Sequence, residues 1–151
     1  MNTLKVGDAL PEITVNDQDG TPINLADYKG KKLIVFFYPK ANTPGCTAEA
    51  CNLSDNYKAL QHEGYQILGV SADSEKKQSN FKNKFNFPYP LLADEDKKVI
   101  EAFGVWGLKK FMGREYDGIH RKTFLFNEAG IVERVIDKVK TKDHAAQILE
   151  A

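Results

Sequence analysis

The 151-residue sequence has no excess of either charge: Lys plus Arg and Asp plus Glu both number 21. It therefore lacks the basic footprint of a nucleic-acid binder or of a protein held on an acidic membrane surface. No apolar run approaches the roughly 18 residues needed to span a bilayer, and the opening MNTLKVGDALPEI lacks the apolar centre of a secretory leader. A soluble cytoplasmic protein with no nucleic-acid and no membrane partner is expected. Cysteine is scarce, at two residues. One domain spanning 1–151 is long enough to bury a core without cross-links, and two cysteines in a reducing compartment read as catalytic, redox-sensing or buried. His62, His120 and His144 are scattered, and with Cys46 and Cys51 they give no tetrahedral zinc spacing. Internal repeats, low-complexity tracts and linkers are missing as well.

What is present is an alternation of strand and helix patterns. Residues 1–32 read as an irregular segment, with a short strand at Ile13-Thr14-Val15, a turn at Asp17–Gly20 and a polar loop at 27–32. Leu33 to Tyr38 is nearly continuous apolar, which suits a central strand covered on both faces. From Pro44 to His62 the positions Ala50, Leu53, Tyr57 and Leu60 repeat at helical spacing, and Gly64 ends that helix. Gln66 to Ser71 predicts a second buried strand, and Glu75 to Phe85 a helix capped by Ser74. Phe87-Pro88-Tyr89-Pro90 forces an extended or turning backbone before a short strand at Leu91–Ala93 and a short helix at Lys97–Phe103. Gly104 to Gly118, with Trp106, Phe111 and Tyr116, predicts a long packed loop bordering a site. Lys122–Phe126 and Ile131–Val139 form a hairpin about Asn127–Gly130, and a final helix runs from Lys142 to Leu149. The order points to an α/β protein of thioredoxin-like fold, a central mixed β-sheet flanked by helices, with an N-terminal extension.

Both cysteines lie in YPKANTPGCTAEAC, Tyr38 to Cys51, which joins the first buried strand to the first long helix. Thr43-Pro44 has the form of a helix N-cap followed by proline at the first helical position, so Cys46 falls in the first turn. There the unpaired N–H groups and the helix dipole favour the thiolate. The dipole alone is not enough. A thiol of pKa ~8.5 is only about 3% ionised at pH 7, each unit lowered requires ~1.4 kcal/mol, and a helix start supplies about 1 kcal/mol. A further cation is needed. Among Arg114, Arg121 and Arg134 the candidate is Arg121, which opens the apolar strand RKTFLF.

At ~100° per residue Ala50, Leu53, Tyr57 and Leu60 lie within about 40° of Cys46, whereas Cys51 lies about 140° away, among Asp55, Lys58 and His62. Cys46 belongs to the inward stripe and Cys51 to a wet flank. Five residues of helix set the two Cα atoms near 9 Å apart, beyond the roughly 7 Å that a disulfide tolerates. If these thiols bond, the first turns of the helix must unwind.

PKANTPGC carries proline, threonine four residues on, and cysteine three further. This resembles the peroxidatic motif of peroxiredoxins, and Arg121 in HRKTF resembles their active-site arginine. With the second cysteine five positions after the first, and GVWGLKKFMGREYDGIHRKTF downstream, the chain resembles the bacterioferritin-comigratory, or peroxiredoxin Q, branch over nearly its whole length. The resemblance implies that Cys46 is the peroxidatic thiolate, that Pro39 shields it, that Thr43 hydrogen-bonds the peroxide, and that Arg121 stabilises the thiolate and polarises the O–O bond. Cys51 matches the resolving position. Glu49 matches a recurrent polar position suited to bridge to Arg121.

The implied activity is thioredoxin-dependent reduction of hydrogen peroxide and alkyl hydroperoxides, through a sulfenic acid on Cys46 that Cys51 resolves as an intramolecular disulfide. Thioredoxin or a similar dithiol is the expected reductant, a monomer the expected state, and no metal or organic cofactor is implied. Two other readings remain beside it. A protein thiol-disulfide oxidoreductase normally carries Cys-x-x-Cys, which is replaced here by a spacing that cannot close on an intact helix. A redox-sensing or holdase-type binding protein would use the unwinding to expose apolar surface instead.

Overall fold

A computed structural model describes residues 1–150 of the chain. The N-terminal segment is more ordered than its composition suggests. Strands β1 (Thr14–Asn16) and β2 (Pro22–Asn24) pair antiparallel about the turn at Asp17–Gly20, and a single 3-10 turn, Leu25–Tyr28, leads into β3 (Lys32–Phe37). The turn at Asp17–Gly20 is tied down by Asp17, whose carboxylate accepts from the N–H groups of Asp19 and Thr21.

β3 is the axis of the molecule. Its residues alternate between two cores, Ile34 and Phe36 on one face with Tyr38 just beyond the strand, and Leu33, Val35 and Phe37 on the other. This is why the run has no polar member: neither face meets water. Each fully buried side chain of this size contributes roughly 1.5–3 kcal/mol. The remaining elements are α1 (Pro44–Asp55), α2 (Tyr57–His62), β4 (Tyr65–Ser71), α3 (Glu75–Phe85), β5 (Leu91–Ala93), α4 (Lys98–Phe103), β6 (Trp106–Phe111), β7 (Arg114–Ile119), β8 (Lys122–Phe126), β9 (Val132–Ile136) and α5 (His144–Leu149). The main sheet has the order β5-β4-β3-β8-β9, with β3, β4 and β5 parallel and β8 and β9 antiparallel to their neighbours. It is the mixed, helix-flanked α/β sheet of a thioredoxin-like fold. At Gly69 in β4 a Cβ would stand 2.8 Å from Leu91 Cδ2 and 2.9 Å from Phe36 Cζ, so the close contact of β4 with its neighbours requires glycine.

Four expectations need correction. The helix read from Pro44 to His62 is two helices, broken at Asn56, whose side-chain N–H donates to the Asn52 carbonyl and whose backbone leaves the helical region. A side chain that bonds its own backbone competes with helix propagation there. The stretch Gly104–Gly118 is not a packed loop but the antiparallel hairpin β6–β7, with Met112 and Gly113 at positive φ in its turn. Phe111 and Tyr116 look outward, 64% and 45% exposed, whereas Trp106 at the base of the hairpin packs on the core. The strand read as Ile131–Val139 ends at Ile136, and the last helix starts at His144 rather than Lys142.

Candidate active site

Cys46 sits where β3 hands over to α1. The connecting loop is pinned from β4: Asp73 accepts from the Ala41 N–H at 2.7 Å and from the Ser71 hydroxyl at 2.7 Å. Thr43 occupies the N-cap position with extended backbone, but its hydroxyl does not cap. It turns back to donate to the Lys40 carbonyl at 2.8 Å. Pro44 carries no N–H, and the N–H groups of Gly45 and Cys46 come too early in the helix for an intrahelical partner. The helix start therefore offers open donors beside the sulfur, as its sequence predicts, although the Thr43 side chain does not supply the expected cap. Pro39, at the end of β3, is half-buried in the same loop.

Cys46 is 1% exposed, at the edge of the core cluster that holds Ile34, Tyr38 and Leu53. The Arg121 guanidinium reaches it from the residue before β8: Nη2 lies 3.3 Å from Cys46 Sγ, and Nη1 lies 2.7 Å from Glu49 Oε1. One planar cation thus bridges two groups a single helical turn apart, the fork geometry that lysine cannot supply. A Cβ at Gly45 would stand 3.3 Å from Arg121 Nη2, so the glycine leaves room for the guanidinium against the helix. Burial opposes the arginine cation, but Glu49 and the Cys46 sulfur outweigh it and hold its pKa above the ordinary value. Burial pushes Glu49 up to about 7 against the opposing pull of Arg121.

Cys51 is half-buried and packs on the same cluster as Cys46, so it is not on a wet flank. It lies close enough to the buried Tyr89 phenol to influence it, and that ring belongs to the same cluster. The neighbouring flank of α1 is covered by α5. Asn52 donates to the Lys142 carbonyl at 3.0 Å and accepts from the Ala145 N–H at 2.7 Å. Burial and the neighbouring Asp55 raise the Cys51 thiol pKa. Both thiols are free.

Two further residues join the site that the sequence does not single out. Lys109 comes from the hairpin, donates to the Ile119 carbonyl at 2.9 Å, and is close enough to feel both the Arg121 cation and the Cys46 sulfur, although burial is what chiefly lowers its pKa. The hairpin borders the site through this residue. His144, fully buried at the start of α5, approaches Glu49 from the side opposite Arg121. A helical wheel of α1 could show that Glu49 points inward, but nothing local announces a histidine 95 positions later.

A thiol at a helix start with a guanidinium on its sulfur, carried on this sheet, defines a thiol-based redox enzyme. Comparison with known proteins narrows the class. The AhpC/TSA family matches residues 6–135. Peroxiredoxin Bcp of Escherichia coli K12 is 49% identical over 149 residues, 99% of this chain and 96% of that protein. Peroxiredoxin Bcp of Bacillus subtilis is 44% identical over 148 residues, 98% of this chain and 94% of that one. Among solved structures, a Xanthomonas campestris peroxiredoxin Q superposes with a TM-score of 0.87 at 36% identity, covering 97% of this chain and 92% of that chain. The chain belongs to the AhpC/TSA family, within the Bcp and peroxiredoxin Q branch of the peroxiredoxins, and is a thiol peroxidase.

Proposed function

We propose that Cys46 is the peroxidatic residue and Cys51 the resolving one, in a single thioredoxin-like domain that acts as a monomer in the cytoplasm. The observation that carries this reading is the 3.3 Å approach of Arg121 Nη2 to Cys46 Sγ beside two open backbone donors. The thiolate attacks the terminal peroxide oxygen in line. The S–O bond forms as the O–O bond breaks, and the departing oxygen takes a proton and leaves as alcohol or water. Arg121 and the N–H groups of Gly45 and Cys46 donate to the oxygens on which charge spreads, a preorganised stabilisation worth several kcal/mol in comparable sites, about 3–4 for one donor. Thr43 joins them once its hydroxyl rotates away from the Lys40 carbonyl to which it donates without peroxide. Pro39 keeps solvent from the thiolate.

Cys46 is then a sulfenic acid. The Cys51 thiolate attacks its sulfur, the hydroxyl leaves as water with a proton, and an intramolecular disulfide results. The intact helix holds the two Cα atoms near 9 Å apart, so this step requires α1 to unwind locally. A dithiol such as thioredoxin restores both thiols by exchange. Alkyl hydroperoxides are the substrate class we favour beside hydrogen peroxide, because structures of a Xanthomonas campestris bacterioferritin comigratory protein, 36% identical to this chain, address its alkyl peroxide reduction activity. The pairing of both thiols within one chain needs no second subunit, and two free cysteines suit a reducing compartment.

The test is NADPH consumption with thioredoxin and thioredoxin reductase, on hydrogen peroxide and on an organic hydroperoxide. Cys46→Ser is expected to be inactive. Cys51→Ser is expected to reduce one equivalent of peroxide and then stall. A Cys46→Ser variant as active as the parent would overturn the reading, and unchanged steady-state turnover in Cys51→Ser would remove Cys51 from it.

A further inference from the structure

Among the described residues two buried side-chain oxygens have no hydrogen-bond partner, Asp94 Oδ1 and Glu49 Oε2. Asp94 is accounted for by the start of α4, where its other oxygen accepts from the Ile100 N–H at 2.8 Å. Glu49 Oε2 has no such explanation. The group it faces is His144 Nε2, 3.5 Å away, and both side chains are completely buried.

The tautomer of His144 is fixed by its surroundings. Nδ1 lies 2.8 Å from Gln147 Oε1. That amide cannot be turned over, because its Oε1 also accepts from the Lys140 N–H at 2.8 Å and its Nε2 donates to the Lys138 carbonyl at 2.9 Å. An oxygen can only accept, so Nδ1 carries a hydrogen in every protonation state. Nε2 is then the nitrogen that gains or loses a proton. Its other neighbour is the Thr123 hydroxyl at 2.8 Å, which can rotate to donate to a bare nitrogen or accept from a protonated one. The cage thus tolerates both states of Nε2 without moving. Burial pushes the carboxyl up to about 7 and lowers the imidazole pKa, favouring the uncharged form of each, and a single proton leaves the pair with no net charge.

We propose that Glu49 and His144 hold one proton between Oε2 and Nε2, and that this buried pair is a positioning device setting how strongly Arg121 is committed to Cys46. The inference rests on the role given to Arg121 above. With the proton in place the pair is neutral, and the guanidinium has the sulfur as its main anionic partner. Once the proton is lost, Glu49 carries a full charge 2.7 Å from Arg121 Nη1 and competes with the thiolate for the same cation. The charged and titratable groups facing the pair are Cys46 on α1, Arg121 before β8, Arg134 on β9 and the Tyr89 phenol before β5. The two arginines do not titrate in the working range, and burial holds the Tyr89 phenol well above its usual value.

The test is the pH dependence of Cys46 alkylation by iodoacetamide in a Cys51→Ser background, from about pH 4 to 9. Two ionisations are expected, one of the thiol and one of the pair, the second changing the rate constant about threefold. In His144→Gln a side-chain amide can reach the place of Nε2 and donate permanently to Glu49, so folding and alkylation should persist with the second ionisation gone. His144→Leu should not show this rescue. A parent with one ionisation, or a His144→Gln variant that keeps both, would overturn the proposal. Should His144→Gln not fold, nitrogen NMR of the parent histidines decides instead. His144 Nδ1 should stay protonated throughout while Nε2 titrates, at a midpoint that Glu49→Gln lowers. Titration at Nδ1, or a midpoint indifferent to Glu49→Gln, would equally sink the idea. A protein that shows both ionisations but never consumes peroxide would keep the pair and discard the functional reading.

Discussion

Cys46 and Cys51 lie on one helix, five residues apart, and their surroundings are opposites. The thiol assigned to attack peroxide is the more buried, 1% exposed, with a guanidinium 3.3 Å from its sulfur. The other is half-buried, has no cation on it, and is held as a neutral thiol by burial and by Asp55. Accessibility is therefore the wrong guide to reactivity here. The Arg121 guanidinium gives a charged sulfur a partner inside a nearly closed site, where the low dielectric that penalises a lone charge strengthens a paired one. The contrast also separates the two chemical steps. While α1 is wound, Cys51 is kept unreactive, and unwinding exposes it to solvent, where a thiol has its ordinary pKa near 8.5.

The largest expected effect comes from removing the cation that creates the contrast. Arg121→Met strips the donor from the sulfur and leaves Glu49 buried without its partner. Peroxide reduction in a single turnover should slow by about 10²–10³ fold, the usual cost of losing a preorganised donor. Arg121→Lys should recover only part of this, since a point charge cannot serve Glu49 and the sulfur together. Stopped-flow competition for peroxide measures both, and a loss under about threefold in Arg121→Met would leave the difference between the cysteines unexplained.

A smaller effect should appear in stability. Burial raises the Glu49 carboxyl from its ordinary 4.5 to about 7 in the fold, against the pull of Arg121. Between those values the native protein binds a proton that the unfolded chain has released, so stability falls as pH rises through this window and then levels off. Burial is complete, and the whole change across the window should amount to roughly 3 kcal/mol, most of it between pH 5 and pH 8. Glu49→Gln has no proton to lose. Urea midpoints at pH 5 and pH 8 should therefore diverge more in the parent than in Glu49→Gln, and parallel behaviour would mean that Glu49 keeps its charge throughout.

These residues also mark what the sequence could reveal. The run from Leu33 to Tyr38 declares a central strand because both its faces are apolar, and the βα rhythm follows from local pattern, so the sheet was legible. Pro39, Thr43, Cys46 and Cys51 were legible as a spaced motif within fourteen residues. Arg121 was reachable because only three arginines exist and one of them opens an apolar strand. Three features were not. The break at Asn56 depends on a side-chain bond to the backbone that leaves the apolar spacing undisturbed. The hairpin β6–β7 carries outward aromatics where alternation would ordinarily mark a buried face. His144 meets Glu49 through the packing of α5 on α1, and the half-burial of Cys51 comes from the cluster that holds Tyr89, in both cases a tertiary contact with no local signature.

The finest test concerns the end of α1 that must let go. Tyr89 donates from its hydroxyl to the Ala50 carbonyl at 2.6 Å, from a fully buried ring. Asn52 ties the next turn to α5 through the Lys142 carbonyl and the Ala145 N–H. These clamps act on the turn that carries Cys51, and neither hydrogen-bonds Arg121 or Cys46, so they should restrain unwinding without touching the attack on peroxide. Tyr89→Phe deletes one hydrogen bond and keeps the ring, a change of about 1 kcal/mol, which corresponds to roughly fivefold easier opening. Disulfide formation after a peroxide pulse should then speed up by about that factor while the first step is unchanged. Asn52→Ala should act in the same direction. Less time spent as an exposed sulfenic acid should also mean less over-oxidation to the sulfinic form, readable as a mass increase on Cys46. If Tyr89→Phe instead slowed the first step and left disulfide formation alone, the clamp would belong to the peroxide-binding end of the helix, and the division of α1 into a fixed Cys46 end and a releasable Cys51 end would fail.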